Sequence, residues 1–394
     1  MNSIPDEFRL LNFNDAHIDE NEFWVSSLEF NGLFKVDRKL NKAMYICSFP
    51  GQPIFSERLH SKVLKWKDNL YFFPNEANEI SAFNLITYEI RNIVFDHIEI
   101  HTFCVYAIDN LCWIFPKYEK GVVMLFDMDN EKLIVEENLS KKINNYRAEN
   151  FGRRFLRMCS LGSELFLPME GTGNVLRLNP KTKKNQIISL KDSNFKNIAV
   201  VDENVWLDDD KGQLYKFNKE ENYLIKFNYD DKDWIVHKNS QIFGFNDNLL
   251  LFSEDFNKIY SVTNNEILKL NMPKKLYMFD INRKSSARFI GMKKYEDNLW
   301  IFPSRGNEYF VLSNDLKVME ENEIAIDMQD LDGFFENVKN EKMKSRLNNE
   351  YVKEDLYCNL NSFLVELSKN VHRNKDVINN NLYGIKIWNK LREE

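Results

Sequence analysis

Two histidines stand at matching points of the chain, His60 ten residues before Leu70 and His101 ten before Leu111. Counting back in the same way from Phe23, Leu165, Val205, Leu249 and Leu299 gives a set of equivalent pairs. They are Asn12/Phe13, Leu59/His60, Ile100/His101, Arg154/Phe155, Asn194/Phe195, Lys238/Asn239 and Arg288/Phe289. Imidazole exchanges a proton near neutral pH, and guanidinium grips oxyanions. Amide donors and aromatic faces suit a sugar-like ligand. As a binding ring, His60, His101, Arg154, Lys238 and Arg288 would hold an anionic or carbohydrate-like small molecule. As a lyase or hydrolase, His60 or His101 would be the general base, with Arg154 or Arg288 stabilising a developing anion. A plainer alternative stays open: hydrogen-bonded structural histidines and core phenylalanines. Two histidines fall short of the three or four ligands a zinc site needs, so no metal is expected.

Two basic stretches flank this set. Residues 141–157 carry Lys141, Lys142, Arg147, Arg153, Arg154 and Arg157 against Glu149. Residues 282–294 carry Arg283, Lys284, Arg288, Lys293 and Lys294. The first reads as a long connection across a channel mouth, suited to a phosphate or polyanion, or else as solvated loop charge. Other motifs fail on context. LDDDKG at 207–212 has Lys219 where a calcium loop needs its twelfth-position Glu. GTG at 171–173 precedes no helix pattern, so it is not a dinucleotide fingerprint. No cofactor is expected. Without a complete catalytic constellation, a non-catalytic binding or scaffold protein is the first expectation and the enzyme the alternative.

The elements that must position these residues repeat. A D/N-N-L-W/Y-F-F-P pattern leads into a polar turn and a second apolar segment about ten residues on, as in DNLYFFPNEANEISAFNL and DNLWIFPSRGNEYFVLSN. Its anchors, Phe23, Leu70, Leu111, Leu165, Val205, Leu249 and Leu299, recur every 40 to 54 residues. Each copy reads as four short antiparallel strands, rich in aromatic and β-branched residues and divided by Asn, Asp, Gly and Ser turns. Units of this kind, about 40–50 residues long, are the blades of a β-propeller. The expected architecture is all-β, with seven four-stranded blades over residues 5–326 and a helical C-terminal extension over 327–394. In that extension Leu356, Leu360, Phe363, Leu364, Leu367 and Val371 form one apolar stripe.

The outer turn, an apolar residue followed by D/N-x-x-T/N, resembles the kelch, NHL and YVTN-type propeller repeats. The resemblance covers most of 5–325 and implies a propeller without implying a function. The kelch Gly-Gly pair and a recurring Trp-Asp dipeptide are missing. The ending, G-x-K-I-W-x-x-L, resembles the tails of bacterial propeller proteins encoded beside glycan-synthesis enzymes. That likeness implies a bacterial source and a link to glycan synthesis. The helical extension itself reads either as a cap on the propeller or as a hook that docks a protein partner.

Composition narrows the classes. Lys and Arg total 53 and Asp and Glu 60, a formal charge of −7. Such a chain has no global field for nucleic acid. The first residues lack a basic segment followed by an apolar run, and no stretch of 18 apolar residues occurs, so neither a secretory signal nor a membrane span is expected. Five scattered cysteines suggest reduced thiols and a cytoplasmic protein.

Overall fold

The computed structural model describes residues 11–326 except 96–97, 147–151, 190–192, 219–222, 228–238, 254–258, 264–265, 270–288, 304–306 and 318. Beyond these it describes 331, 333–334 and 336–338; side chains are further left out at 239–240, 253, 263, 266–269, 289–290 and 303. Seven sheets follow one another along the chain, each built from four consecutive antiparallel strands. The molecule is a seven-bladed β-propeller. Every anchor lies in the second strand of its blade: Glu22–Ser26, Asn69–Pro74, Leu111–Pro116, Glu164–Met169, Asn204–Asp209, Asn248–Ser253 and Asn298–Pro303.

Turn chemistry explains the pattern. In blades 2 to 7 the first two strands are joined by two residues, the geometry that favours left-handed backbone in hairpins. The first turn residue, Lys67, Asp109, Gly162, Asp202, Asn246 or Glu296, has φ between 47° and 60°. The outer turn works differently. The side-chain oxygens of Asp37, Asn84, Asp127 and Asn179 each accept two backbone N–H groups from residues two and three further on. That is why the third strand closes on Asp or Asn.

The core sits between blades. Tyr71, Phe73 and Ile80 of blade 2 meet Ile114, Met124 and Phe126 of blade 3. Trp113 and Phe115 of blade 3 meet Leu165, Leu167 and Leu176 of blade 4. Each second strand is buried on both faces, so its apolar run is continuous rather than alternating. Burying one such side chain stabilises by about 1.5–3 kcal/mol. Inner strands approach closely at two glycines. A Cβ on Gly244 would lie 1.8 Å from the Val200 carbonyl oxygen, and one on Gly291 would lie 2.1 Å from that of Asn14.

The ring closes between blades 7 and 1 without strand exchange inside a blade. Phe23 packs against Trp300 and Tyr309, which stack at 4.9 Å and 7°. Phe13 meets Phe302 at 4.8 Å. Tyr309 donates to Asn41 Oδ1 at 2.7 Å, and the Leu11 N–H donates to Asn307 Oδ1 at 2.8 Å. Lys293 reaches across to Asp15 at 3.3 Å. Burial would raise the Asp15 carboxyl; the Lys293 and Lys62 cations and the Val63 N–H bring it below its ordinary value. A short strand, Ala325–Ile326, then pairs parallel to Lys42–Ala43 and covers the outer edge of blade 1.

The chain divides into two compact units at Asn337/Val338. Leu331, Gly333, Phe334, Glu336 and Asn337 therefore fall in the first unit, beyond the boundary at 326 expected from sequence. Phe334 is buried against Phe30 and Tyr45, and Asn337 donates to the Tyr45 hydroxyl at 2.9 Å. The expected apolar stripe from Leu356 to Val371 lies outside the described residues. Among the described residues no helix is long and apolar enough to cross a membrane.

Candidate functional site

In blades 1 and 4 the first strand begins only at Ala16 and Cys159, after Asn12/Phe13 and Arg154/Phe155, whereas in blades 2, 5, 6 and 7 it begins at His60, Phe195, Asn239 and Phe289, opposite the end of the second strand. In blades 2, 3, 5, 6 and 7 the ladder slips by one residue there, leaving Ser61, Phe103, Lys196, Ser240 and Ile290 without an opposite partner. Such bulges re-aim side chains beside a site. The register separates the two histidines. His60 faces Pro74, whereas Thr102, not His101, faces Pro116. Leu111 is the first residue of its strand and Cys112 stands where Leu70 does. His101 is thus the counterpart of Leu59: the Asn75 N–H bonds the Leu59 carbonyl as the Lys117 N–H bonds that of His101. A slip of one residue turns a side chain to the opposite face.

His60 is sealed in the wall between blades 1 and 2, 3% exposed. Its Nδ1 lies 2.9 Å from Ser26 Oγ, its ring packs on Phe49 and Phe72, and Nε2 is buried without a partner. Burial drops its pKa to about 3, so the ring is neutral.

His101 is half-buried and belongs to a polar patch. Its Nδ1 lies 2.6 Å from the Asn75 carbonyl oxygen, which makes Nδ1 the donor and leaves Nε2 as an acceptor. Beside it, Lys117 is buried and gives hydrogen bonds to Asn75 Oδ1 (2.7 Å) and Glu76 Oε1 (2.6 Å). The ammonium sits 4.7 Å from the Tyr118 ring centre and 5.2 Å from that of Phe103. Tyr118 meets the His101 ring edge-on at 5.3 Å.

The basic connection is built onto this patch. It contains a helix, Glu137–Asn144, whose Leu139 and Ile143 are buried against blades 3 and 4. Ser140 Oγ donates to the Glu136 carbonyl and accepts the Val123 N–H. The chain then touches the loop after the second strand of blade 3 through a single antiparallel bridge: Tyr118 pairs with Arg153, and the Arg154 N–H bonds the Lys117 carbonyl at 2.7 Å. Arg154 is 2% exposed and its Nη1 donates to the Ile143 carbonyl at 2.6 Å. The expected ligand-binding arginine is thus a strut holding the helix end, while Arg153 is exposed. Arg147, Lys238 and Arg288 lie outside the described residues. Of the second basic stretch, Lys293 is tied to blade 1 and Lys294 donates to Asn246 Oδ1 at 3.3 Å.

At blades 4 and 5 lie Arg157, which the basic run contained, and Glu170, which sequence reasoning passed over. The first strand of blade 4 is short, Cys159–Leu161. Pro168 stands where Phe73 pairs with Lys62 in blade 2, and proline offers no N–H to that rung. Arg157 lies in the freed run. Its Nη1 donates to the Leu156 carbonyl at 3.2 Å and its Nε is buried without a partner. Glu170 follows the second strand, with Oε2 buried and unpartnered. Burial holds its carboxyl above the ordinary range against the pull of Arg153, Arg157 and Lys196. Asp208, fully buried, accepts from both the backbone and side-chain N–H of Asn197. The signal that could have found Arg157 was its place, three residues after Arg154, in the same basic run.

No family model matches the chain, and no curated protein matches its sequence. Solved structures match its fold. The computationally designed Ika8 protein aligns with a TM-score of 0.52 at 9% identity, over 80% of this chain and 90% of that one. The extracellular domain of a putative hybrid two-component system, BT4673 of B. thetaiotaomicron, aligns with a TM-score of 0.52 at 12% identity, over 79% and 38%. PorZ, a bacterial surface component of the type-IX secretion system of Porphyromonas gingivalis, aligns at 0.50 and 11%, over 80% and 39%. The chain spans about two fifths of those two natural proteins. At these identities the likeness concerns the fold.

Proposed function

We propose that the protein is a non-catalytic recognition module. It takes a partner protein, or an anionic or glycan-like ligand, on the propeller face that carries His101, Tyr118 and Arg153. One observation carries this reading: Tyr118 and Arg153 are locked side by side by a backbone bridge, next to a buried, fully engaged Lys117. A backbone bridge that fixes where an aromatic and a guanidinium residue stand reduces the freedom lost on binding, which is what a recognition surface needs. Placement in the cytoplasm and a link to bacterial glycan synthesis remain part of the proposal.

The lyase or hydrolase alternative is weakened by the fate of its groups. Of its two candidate bases, His60 is enclosed by Ser26, Phe49 and Phe72, while His101 is half-buried. Of its two anion holders, Arg154 holds a helix end, and Arg288 lies outside the described residues. The described thiols are poor nucleophiles: burial pushes Cys47 and Cys104 up to about 12 and raises Cys112 and Cys159 as well.

The test compares the intact protein with a Tyr118→Ala/Arg153→Glu variant. Thermal-shift screening would cover neutral, carboxylated and phosphorylated saccharides, and affinity purification from the source cells would be read by quantitative mass spectrometry. A ligand or partner held by the intact protein and lost from the variant is the expected result. Identical capture by both, or turnover of a bound saccharide, would overturn the reading.

A further inference from the structure

Asn75, Glu76, His101 and Tyr118, from blades 2 and 3, close into a ring of contacts, and the polar atoms they leave over are all of one kind. His101 Nδ1 lies 2.6 Å from the Asn75 carbonyl oxygen, and Glu76 follows Asn75 in the chain. The Tyr118 hydroxyl donates to Glu76 Oε1 at 3.5 Å, and its ring returns to His101 at 5.3 Å between centres. The Lys117 ammonium touches three of the four. It donates to Asn75 Oδ1 at 2.7 Å and to Glu76 Oε1 at 2.6 Å, and lies 4.7 Å from the Tyr118 ring centre. Phe103 closes over it at 5.2 Å. With 7% of its side chain exposed, this cation is engaged inside the protein and offers a ligand nothing.

The atoms left for a ligand all accept. Because Nδ1 donates to the Asn75 carbonyl, His101 Nε2 is an acceptor, and it has no partner among the described residues. Glu76 Oε1 takes the bonds from Lys117 and Tyr118, so Oε2 is left over on a side chain that is 45% exposed. The Tyr118 hydroxyl turns its proton to Glu76 and presents its lone pairs. Such a set needs a ligand that brings the protons. A phosphate or carboxylate dianion brings none. An ammonium group brings protons with a charge, but Lys117 already compensates Glu76 and repels a second cation. Hydroxyl groups meet the requirement without a charge. Arg58, Glu119 and Arg153 stand around the ring on backbone bonds to Glu76, Gly152 and Tyr118. They set the field at its rim and supply none of these acceptors. Resting on the recognition reading above, and deepening it, we infer that this patch binds a saccharide through neighbouring hydroxyls, one donating to Glu76 and one to His101 Nε2.

Methyl glycosides of glucose, galactose and mannose are the probes, each paired with its permethylated form, which keeps the ring and has no proton to donate. Saturation-transfer NMR titration of the full chain would compare them with inorganic phosphate. At least one methyl glycoside should bind at millimolar concentration, while its permethylated form and phosphate should not. Glu76→Gln should weaken that glycoside about tenfold or more, as loss of a charge-assisted hydrogen bond does, and His101→Phe about threefold to tenfold. Lys183→Ala, at an exposed pair with Glu136, should change nothing. Unfolding midpoints show whether each variant is folded, and the permethylated comparison tests the inference on the unaltered protein. No binding by any of the three glycosides would overturn the inference. Equal binding of the permethylated form would do so as well, as would binding indifferent to both Glu76→Gln and His101→Phe. If no glycoside binds while the Tyr118→Ala/Arg153→Glu variant still loses its partner, this inference falls and the recognition reading stands.

Discussion

His60 Nδ1 and Ser26 Oγ lie 2.9 Å apart across the wall between blades 1 and 2, a hydrogen bond that joins those from Asn14 Nδ2 to the His60 carbonyl and from the Val63 N–H to Asp15 in tying the two blades together. The pair has the chemistry of a nucleophile and its base, but Phe49 and Phe72 close over it. Its work is structural, and its cost appears in acid.

The folded protein refuses a proton at His60 until about pH 3, whereas the unfolded chain takes one near pH 6.5. The unfolded state therefore binds more protons in that window. The stability that depends on neutral His60 is complete above pH 6.5 and is lost as pH falls through it. The loss runs at about 1.4 kcal/mol per pH unit. Between pH 7.5 and pH 5 it amounts to about 2 kcal/mol. Urea unfolding at the two pH values should show it. His60→Phe, which keeps the ring packing, should flatten the dependence by that amount; an unchanged dependence would mean the imidazole is not the group responsible.

Close approach of inner strands at blades 5 and 6 depends on Gly244, where a Cβ would meet the Val200 carbonyl oxygen at 1.8 Å. Backbone cannot give way as a flexible side chain does. Gly244→Ala should cost about 3 kcal/mol or more, at or above the upper end of overpacking effects. Gly162→Ala is the control. Its site is open and only its φ of +60° resists a side chain, so the cost should be about 1 kcal/mol. Denaturant midpoints of the two variants measure the difference, and equal losses would contradict the steric account.

The propeller was legible because its turns need particular residues. Asp37, Asn84, Asp127 and Asn179 cap outer turns through their own side chains, and left-handed first turns repeat before every anchor from Leu70 on. Blade 3 misled for the same reason. Its D-N pair, Asp109–Asn110, forms the turn itself, while Asp68–Asn69 straddles the turn and the strand. Aligning the two by letter shifts blade 3 by one residue, and one residue decides whether a histidine is sealed or half-exposed. Glu170 and Lys196 stayed hidden because they belong to different blades, and the proline that shortens the first strand of blade 4 and the bulge at Lys196 are not announced by any local pattern. The closing seam is similar, because Phe23 and Trp300 are brought together by ring closure alone.

That seam makes its own prediction. Trp300 is buried, stacked on Tyr309 and set edge-on to Phe23. Trp300→Ala should cost about 3–5 kcal/mol, as buried aromatic truncations do. Hydrogen exchange should locate the damage. Amides of Glu22–Ser26 and Glu308–Leu312 should exchange faster, while those of Glu164–Met169 in blade 4 should not. Uniform acceleration would show that the ring opens as one unit and not at the seam.

Arg153 and Arg154 are neighbours with opposite assignments, and substitution separates them. Arg154 donates to the Ile143 carbonyl in the last turn of helix Glu137–Asn144, which also accepts the Tyr146 N–H at 3.1 Å. Arg154→Met keeps the stem and removes the charged donor. The Ile143 carbonyl then loses a charge-assisted bond, so stability should fall by about 1.5–3 kcal/mol. Exchange of amides 141–144 should rise at least tenfold. Arg153→Ala, at an exposed side chain, should move stability by about 0.5 kcal/mol or less and act on ligand or partner capture instead. The decisive comparison is capture by both variants at a temperature where both are folded. Loss confined to Arg153→Ala fits a strut beside a ligand group. Loss confined to Arg154→Met would return Arg154 to the binding role that its place in the repeat first suggested.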